Sequence, residues 1–160
     1  KNLSNDSVGK LKVIKHALNK SELHFGNKFD IIFDLDVTSP LRNINDIKNS
    51  YKKFIREDSN NLFSVCLARK NPYFNMVEIK NNKLKKVKKS KKNIYRRQDA
   101  PKTYEGNASV YIWDRKSLIN FKSHFNKKTV FYEMPENRSI DIDSEFDFQL
   151  VKLLLTKKNV

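Results

Sequence analysis

Apolar positions along this chain come in short blocks whose spacing changes from one segment to the next. In residues 7–19 (SVGKLKVIKHALN), Val8, Leu11, Ile14 and Leu18 recur at helical spacing, which predicts an amphipathic helix with a lysine-covered outer face. Residues 29–35 (FDIIFDL) are nearly continuous in apolar side chains, as expected of a strand covered on both faces of a parallel sheet. Pro40 cannot continue a ladder and holds Ser39 extended, so this strand must end and turn near residues 38–41. Ile44, Ile47, Tyr51, Phe54 and Ile55 then return to helical spacing as far as residue 57, and residues 62–68 read as a second strand. The order is strand, loop, helix, strand, which places the loop DVTSPLR (36–42) at the carboxyl end of a strand, where open α/β sheets bind ligands.

Further along, residues 72–87 alternate around Asn81-Asn82 and predict a hairpin. Residues 107–113 (NASVYIW) and 129–134 (TVFYEM) predict two more strands, with a short helix over 115–121 between them and a closing helix over about 144–155. The 160 residues fit one α/β domain with no repeat and no obvious linker. Cys66, the single cysteine, lies in the apolar run LFSVCLA; it can form no intrachain disulfide and suits a reducing cytoplasm. No apolar stretch approaches the roughly 20 residues needed to cross a bilayer, so no membrane partner is expected.

Charge changes the picture at one place. Residues 83–97 (KLKKVKKSKKNIYRR) hold nine basic residues and no acidic one, more than half of the formal net charge of +15. Such a run can track nucleic-acid phosphates, or form a solvated surface hairpin. A basic nucleic-acid-binding module is therefore one functional reading of the chain.

Three constellations could carry chemistry. Asp34 and Asp36 fall on one face at the end of a buried strand, followed by Thr38, Ser39 and Arg42, a set able to hydrogen-bond a polyhydroxylated anion; alternatively, Thr38 or Ser39 caps the next helix and Arg42 is solvated. Arg96, Arg97 and Gln98 can clamp a carboxylate or phosphate in planar geometry, or simply extend the basic run. In the third, SIDIDSEFDF, extended chain would turn Asp141 and Asp143 to one side and Ile142 inward, presenting both carboxylates to one Mg2+; alternatively, Asp143 or Ser144 begins the helix. His16, His24 and His124 are scattered at no ligand spacing and carry no expected catalysis.

Taken in order, DLDVTSPLR, ARKNPYFNMVE, RRQDAPKTYEGNASVYI and SIDIDSEFDFQLVKLLL resemble the acylneuraminate cytidylyltransferases, the CMP-sialic acid synthetase family, over nearly the whole chain. The resemblance implies a Rossmann-like nucleotidyltransferase fold, and transfer of CMP from CTP to the anomeric hydroxyl of a nine-carbon sugar acid with release of pyrophosphate. Mg2+ is the implied cofactor, held by Asp141 and Asp143, which match the family's metal-binding aspartates and act catalytically through the ion. Arg97, with Arg96 beside it, matches the basic position near the sugar's carboxylate. Asn107 matches the asparagine before the next strand, and Thr38 and Ser39 the sugar-side loop. The excursion at about residues 73–104 would reach across a homodimer interface into the partner's site. Three departures are visible. Asp36 stands where glutamine is common in sialic acid enzymes, which points to a relative such as legionaminic or pseudaminic acid. Ala108 stands where glycine is frequent. The family's N-terminal Arg-Gly-Gly-Ser-Lys loop, which binds CTP, is absent, so the chain reads as an N-terminally truncated, C-terminal two-thirds of such an enzyme.

Overall fold

A computed structural model describes residues 8–90 and 93–156. Four strands form the main sheet: β1 (Ile31–Asp34), β2 (Asn61–Leu67), β5 (Tyr104–Asp114) and β6 (Thr129–Glu133), in the order β1-β5-β2-β6. β3 (Val77–Lys80) and β4 (Lys83–Lys86) form a separate two-stranded hairpin. Four helices accompany them: α1 (Lys10–Phe25), α2 (Ile44–Arg56), α3 (Arg115–Asn120) and α4 (Glu145–Thr156). No described helix is long and apolar enough to cross a membrane.

The sheet is mixed. β5 runs antiparallel to both of its neighbours, β1 and β2, while β6 runs parallel to β2. The expected crossover from β1 through α2 to β2 is present, with β5 inserted between the two parallel strands. β1 has one neighbour among the described residues and pairs with it antiparallel, so it lies at the edge of a mixed rather than parallel sheet; Ile32 meets one core cluster and Ile31 the other, while Phe33 is 39% exposed.

β5 organises the core because its side chains alternate across the sheet. Trp113, with Tyr111 beside it, packs on one face with Ile14 and Leu18 of α1 and Leu118 of α3. Val110 and Ile112 pack on the other with Leu62 and with Phe54 of α2. Trp113, Leu62, Ile112, Leu118 and Val110 are fully buried, each side chain contributing about 1.5–3 kcal/mol of apolar transfer. Cys66 is buried too, and burial together with the nearby Glu105 carboxylate pushes its thiol up to about 11, which leaves it unreactive.

Element ends follow local chemistry. α1 runs past residue 19 because residues 20–25 contain no breaker, and it stops at Gly26, whose φ of 67° is the left-handed cap that glycine adopts without strain. Ser7, the predicted start of that helix, lies outside the described residues. α2 is capped neither by Thr38 nor by Ser39: the Asn43 side chain accepts from the N–H groups of Asn45 and Asp46, and the Asp46 carboxylate accepts from Asn43 N–H, a reciprocal capping box. The hairpin turns at Asn81 and Asn82, with φ of 53° and 56°, as a two-residue loop matching the strand twist requires. Of the basic run, Lys91 and Lys92 lie outside the described residues.

Candidate active site at the carboxyl edge of the sheet

Since β1, β2 and β6 run in one direction, their carboxyl ends open on one edge of the sheet, and β5 starts its return there. β1 feeds the loop 36–42, β2 leads to Ala68 and Asn71, and β6 leads through the 3-10 turn Glu136–Arg138 to Asp141 and Asp143. The three constellations read from the sequence therefore share one edge.

In the loop after β1, Lys10 reaches from α1 to pair with both Asp34 (3.1 Å) and Asp36 (2.7 Å), and its ammonium lies 4.4 Å from the centre of the Tyr111 ring. Burial opposes the charge on both Lys10 and Asp36, but their mutual pairing prevails, raising the lysine and lowering the aspartate from their ordinary values. Asp36 also accepts from the Thr38 hydroxyl at 3.2 Å. Ser39 is completely buried and donates to the Asn107 carbonyl at 3.3 Å. Arg42 is not solvated: its guanidinium donates to the carbonyls of Asp36, Ser39 and Ser109, stapling the loop to β5. In this loop Asp36 and Thr38 remain partly exposed, whereas Ser39 and Arg42 hold the loop's shape.

Asn107 is buried and works as a hub. Its Oδ1 accepts from the Ser64 hydroxyl at 2.6 Å and from Ser109 N–H, and its Nδ2 donates to the Ser139 hydroxyl at 2.9 Å and to the Met134 sulfur. Next to it, Ala108 sits at φ 52°, a left-handed conformation that L side chains disfavour. The β2–β5 ladder is interrupted here, Phe63 pairing with Tyr111 but Val65 with Gly106. Ser64 lies opposite the interruption, and its hydroxyl fills the gap by donating to Asn107 and accepting from Val110 N–H at 2.8 Å.

The segment carrying the paired aspartates is held by the same neighbours. Ile142 N–H donates to the Thr38 carbonyl at 2.9 Å, and the Ser139 hydroxyl donates to the Pro135 carbonyl at 2.8 Å. Asp141 Oδ1 is buried with no hydrogen-bond partner among the described residues, while Asp143 is exposed. Asp141 is also near enough to Tyr111 to help, after burial, raise that phenol above its ordinary value. Ser144 begins α4: its hydroxyl accepts from Asp147 N–H at 3.3 Å and donates to the Asp147 carboxylate at 2.6 Å. Helix initiation thus uses Ser144 and leaves both aspartates available. No group of three or more His, Cys, Asp or Glu side chains suited to a metal forms among the described residues. Mg2+ asks for less, since one or two carboxylates suffice when water and phosphate complete the octahedron, and a buried carboxylate oxygen with no protein donor fits that demand.

Arg96 and Arg97 part company. Arg96 forms a two-pronged pair with Asp99 at 3.0 and 3.1 Å, whereas Arg97 donates one Nη to the Ala68 carbonyl at 3.0 Å and lines an open cleft of about 500 Å³ with Gln98, Asn71, Pro101 and Thr103. Arg69, just past β2, pairs with Glu136, which links this cleft to the turn before Asp141.

No protein-family model matches the chain. Over 158 residues it is 46% identical to the CMP-N,N'-diacetyllegionaminic acid synthase of Campylobacter jejuni, a match covering 99% of this chain and 66% of that protein. It is 32% identical over 115 residues to an N-acylneuraminate cytidylyltransferase of Streptococcus agalactiae, covering 71% of this chain and 27% of that protein. The chain belongs to the acylneuraminate cytidylyltransferase family. The pseudaminic acid cytidylyltransferase of Campylobacter jejuni is 27% identical over 155 residues, covering 96% of this chain and 66% of that protein. The chain thus spans about two thirds of the length of the two Campylobacter relatives.

Within this family member, several residues that shape the site carried little signal in the sequence. Lys10 was one of many lysines on an amphipathic helix, and Tyr111 an ordinary strand aromatic. Arg138 gave no indication that it would pair with Asp46, 92 residues away. For Asp46 a local signal exists, Asn43-x-x-Asp46 ahead of an apolar-periodic run, although the sequence reading offers Thr38 or Ser39 as the cap instead.

Proposed function

We propose that this chain supplies the metal-binding and sugar-binding parts of a CMP-nonulosonate synthetase, a cytoplasmic enzyme that moves CMP from CTP to a nine-carbon sugar acid and releases pyrophosphate. The mixed sheet would be the larger part of a single Rossmann-like nucleotidyltransferase domain. The observation that carries the proposal is the meeting, at one sheet edge, of the unpartnered buried oxygen of Asp141 with the Asp36–Thr38 loop.

Asp141 and Asp143 would hold Mg2+, which when bound supplies positive charge at the phosphates where negative charge develops during in-line attack. Each residue of the chain then has a task. Asp36, kept ionised by Lys10, accepts from hydroxyl or amide N–H groups of the sugar, and Thr38 adds a hydroxyl beside it. Arg97 retains free N–H donors for the sugar's carboxylate, with Gln98 lining the same cleft; Arg96 steadies the turn through Asp99. Asn107, Ser39 and Arg42 act at one remove, holding the loops in register. The sugar's anomeric oxygen forms a bond to the α-phosphorus as the bond to pyrophosphate breaks.

The substrate favoured is of the legionaminic type. An acceptor-only carboxylate at Asp36 suits a sugar rich in N-acyl donors, and the 46% identical relative bears the legionaminic name. The hairpin fits an interface in a homodimer: Val77, Ile79 and Leu84 are exposed by 54%, 76% and 71%, and a lone two-stranded hairpin is marginally stable until an apolar face is covered. The test is pyrophosphate release from CTP by the full-length protein with legionaminic, pseudaminic and sialic acids offered separately. Turnover is expected to be fastest with the legionaminic compound, and preference for sialic acid would overturn the role given to Asp36.

A further inference from the structure

We propose that the ion pair between buried Asp46 and partly buried Arg138 is a positioning element, which fixes Asp141 and Asp143 against the loop after β1 and thereby sets the site's affinity for a divalent cation. This rests on the assignment of the metal to those two aspartates.

Asp46 is fully buried, and Arg138 grips it with two parallel bonds, Nε to Oδ2 at 2.9 Å and Nη2 to Oδ1 at 2.8 Å. The same carboxylate accepts from Asn43 N–H at 2.9 Å, closing the cap of α2 immediately after Arg42, where the sugar-side loop ends. Burial opposes the charge on Asp46, but the guanidinium and this N–H hold the carboxyl below its ordinary value. On the other side, Arg138 stands three residues before Asp141. The chain is pinned twice more nearby, at Ser139 by Asn107 and, between the two aspartates, at Ile142 by the Thr38 carbonyl. One carboxylate therefore anchors both halves of the site, the loop bearing Asp36 and Thr38 and the segment bearing the paired aspartates.

Stability alone gives a weak reason for such a pair, since a buried ion pair is often no more stabilising than apolar side chains of the same volume. What it adds is orientation. A planar fork held at two points fixes where the arginine backbone lies, which a lysine making one bond cannot do. Partners hydrogen-bonded to metal ligands commonly change metal affinity by 10–100-fold; Arg138 acts one step further out, through the backbone, so the lower end of that range is expected.

Mn2+ is the probe: it is titrated into the chain, free Mn2+ is read by electron paramagnetic resonance, and thermal midpoints are recorded on the same samples. Arg138→Lys keeps the charge and Asp46→Asn keeps an acceptor for Asn43 N–H, so loss of fold in one leaves the other to be read. Each is expected to weaken Mn2+ binding about tenfold. Leu118→Ala, a core truncation on the opposite face of the sheet, is expected to melt at a lower temperature and bind Mn2+ as the parent does. Parental affinity in the folded Arg138→Lys or Asp46→Asn protein would overturn the inference, as would equal weakening in Leu118→Ala. If the parent binds no Mn2+, or Asp141→Asn binds it unchanged, the metal assignment itself fails, a result separable from failure of the positioning role.

Discussion

Replacing Ala108 with glycine should stabilise the protein, although it removes a methyl group from a strand. At φ 52° the alanine Cβ crowds its own carbonyl, and a left-handed conformation costs an L residue about 1–2 kcal/mol. Glycine relieves that strain but brings an unfolded-state entropy penalty of roughly 0.5–1 kcal/mol. The balance is a gain of about 0.5–1 kcal/mol, which for a chain of this length corresponds to a rise in melting temperature of roughly 1–4 °C. The position cannot relax to a negative φ without cost, because Asn107 and Ser109 on either side are both buried and the Asn107 side chain alone has four hydrogen bonds to lose. Thermal melting of the parent, Ala108→Gly and Ala108→Val measures this directly. The β-branched valine, which tolerates positive φ still less, is expected to melt below the parent. A glycine variant melting at or below the parent, or a valine variant melting above it, would refute the reasoning.

Three more outcomes follow from the same geometry. Asn107→Ala leaves Ser64 and Ser139 without their partner inside the core and should cost about 3 kcal/mol in chemical denaturation. Glu22, paired with Arg115 at 2.6 Å, has its carboxyl lowered from 4.5 to about 2, chiefly by the arginine's hydrogen bond. A depressed carboxyl stabilises the fold fully above its unfolded value and loses that contribution as pH falls, so the melting difference between the parent and Glu22→Gln should shrink from pH 5 toward about pH 2. Asp141→Asn removes a charge from a buried oxygen that has no donor, so the metal-free protein should melt at the parental temperature or above it; a marked fall would show that the oxygen has a structural partner.

Much of the architecture was legible because the signals are local. Apolar periodicity located most strands and helices to within about three residues, although α1 runs six residues past its expected end; Asn81-Asn82 marked the hairpin, and Pro40 ended β1. What the sequence did not disclose was pairing order. The continuous apolar run of β1 reads as a strand inside a parallel sheet, yet β1 lies at the sheet edge, and nothing local announces that β5 runs antiparallel between β1 and β2. The site was legible by residue type more than by role. Asp36, Thr38, Arg97, Asp141 and Asp143 lie at that edge, whereas Ser39 and Arg42 spend their polar atoms on backbone carbonyls and Asn107 spends its amide largely on Ser64, Ser139 and Met134. That distinction depends on contacts between residues about 30 to 70 positions apart, which spacing along the chain does not encode.

Everything proposed for this site depends on Asp141 and Asp143 binding the metal for CMP transfer to a sugar acid. The most direct measurement of this is pyrophosphate release from CTP by the full-length protein, with and without Mg2+ and in the presence of N,N'-diacetyllegionaminic acid, for the parent and Asp141→Asn. Release by the parent is expected to require Mg2+ and to disappear in Asp141→Asn while the melting temperature is kept. Undiminished release in Asp141→Asn, or release by the parent that needs no divalent metal, would contradict it.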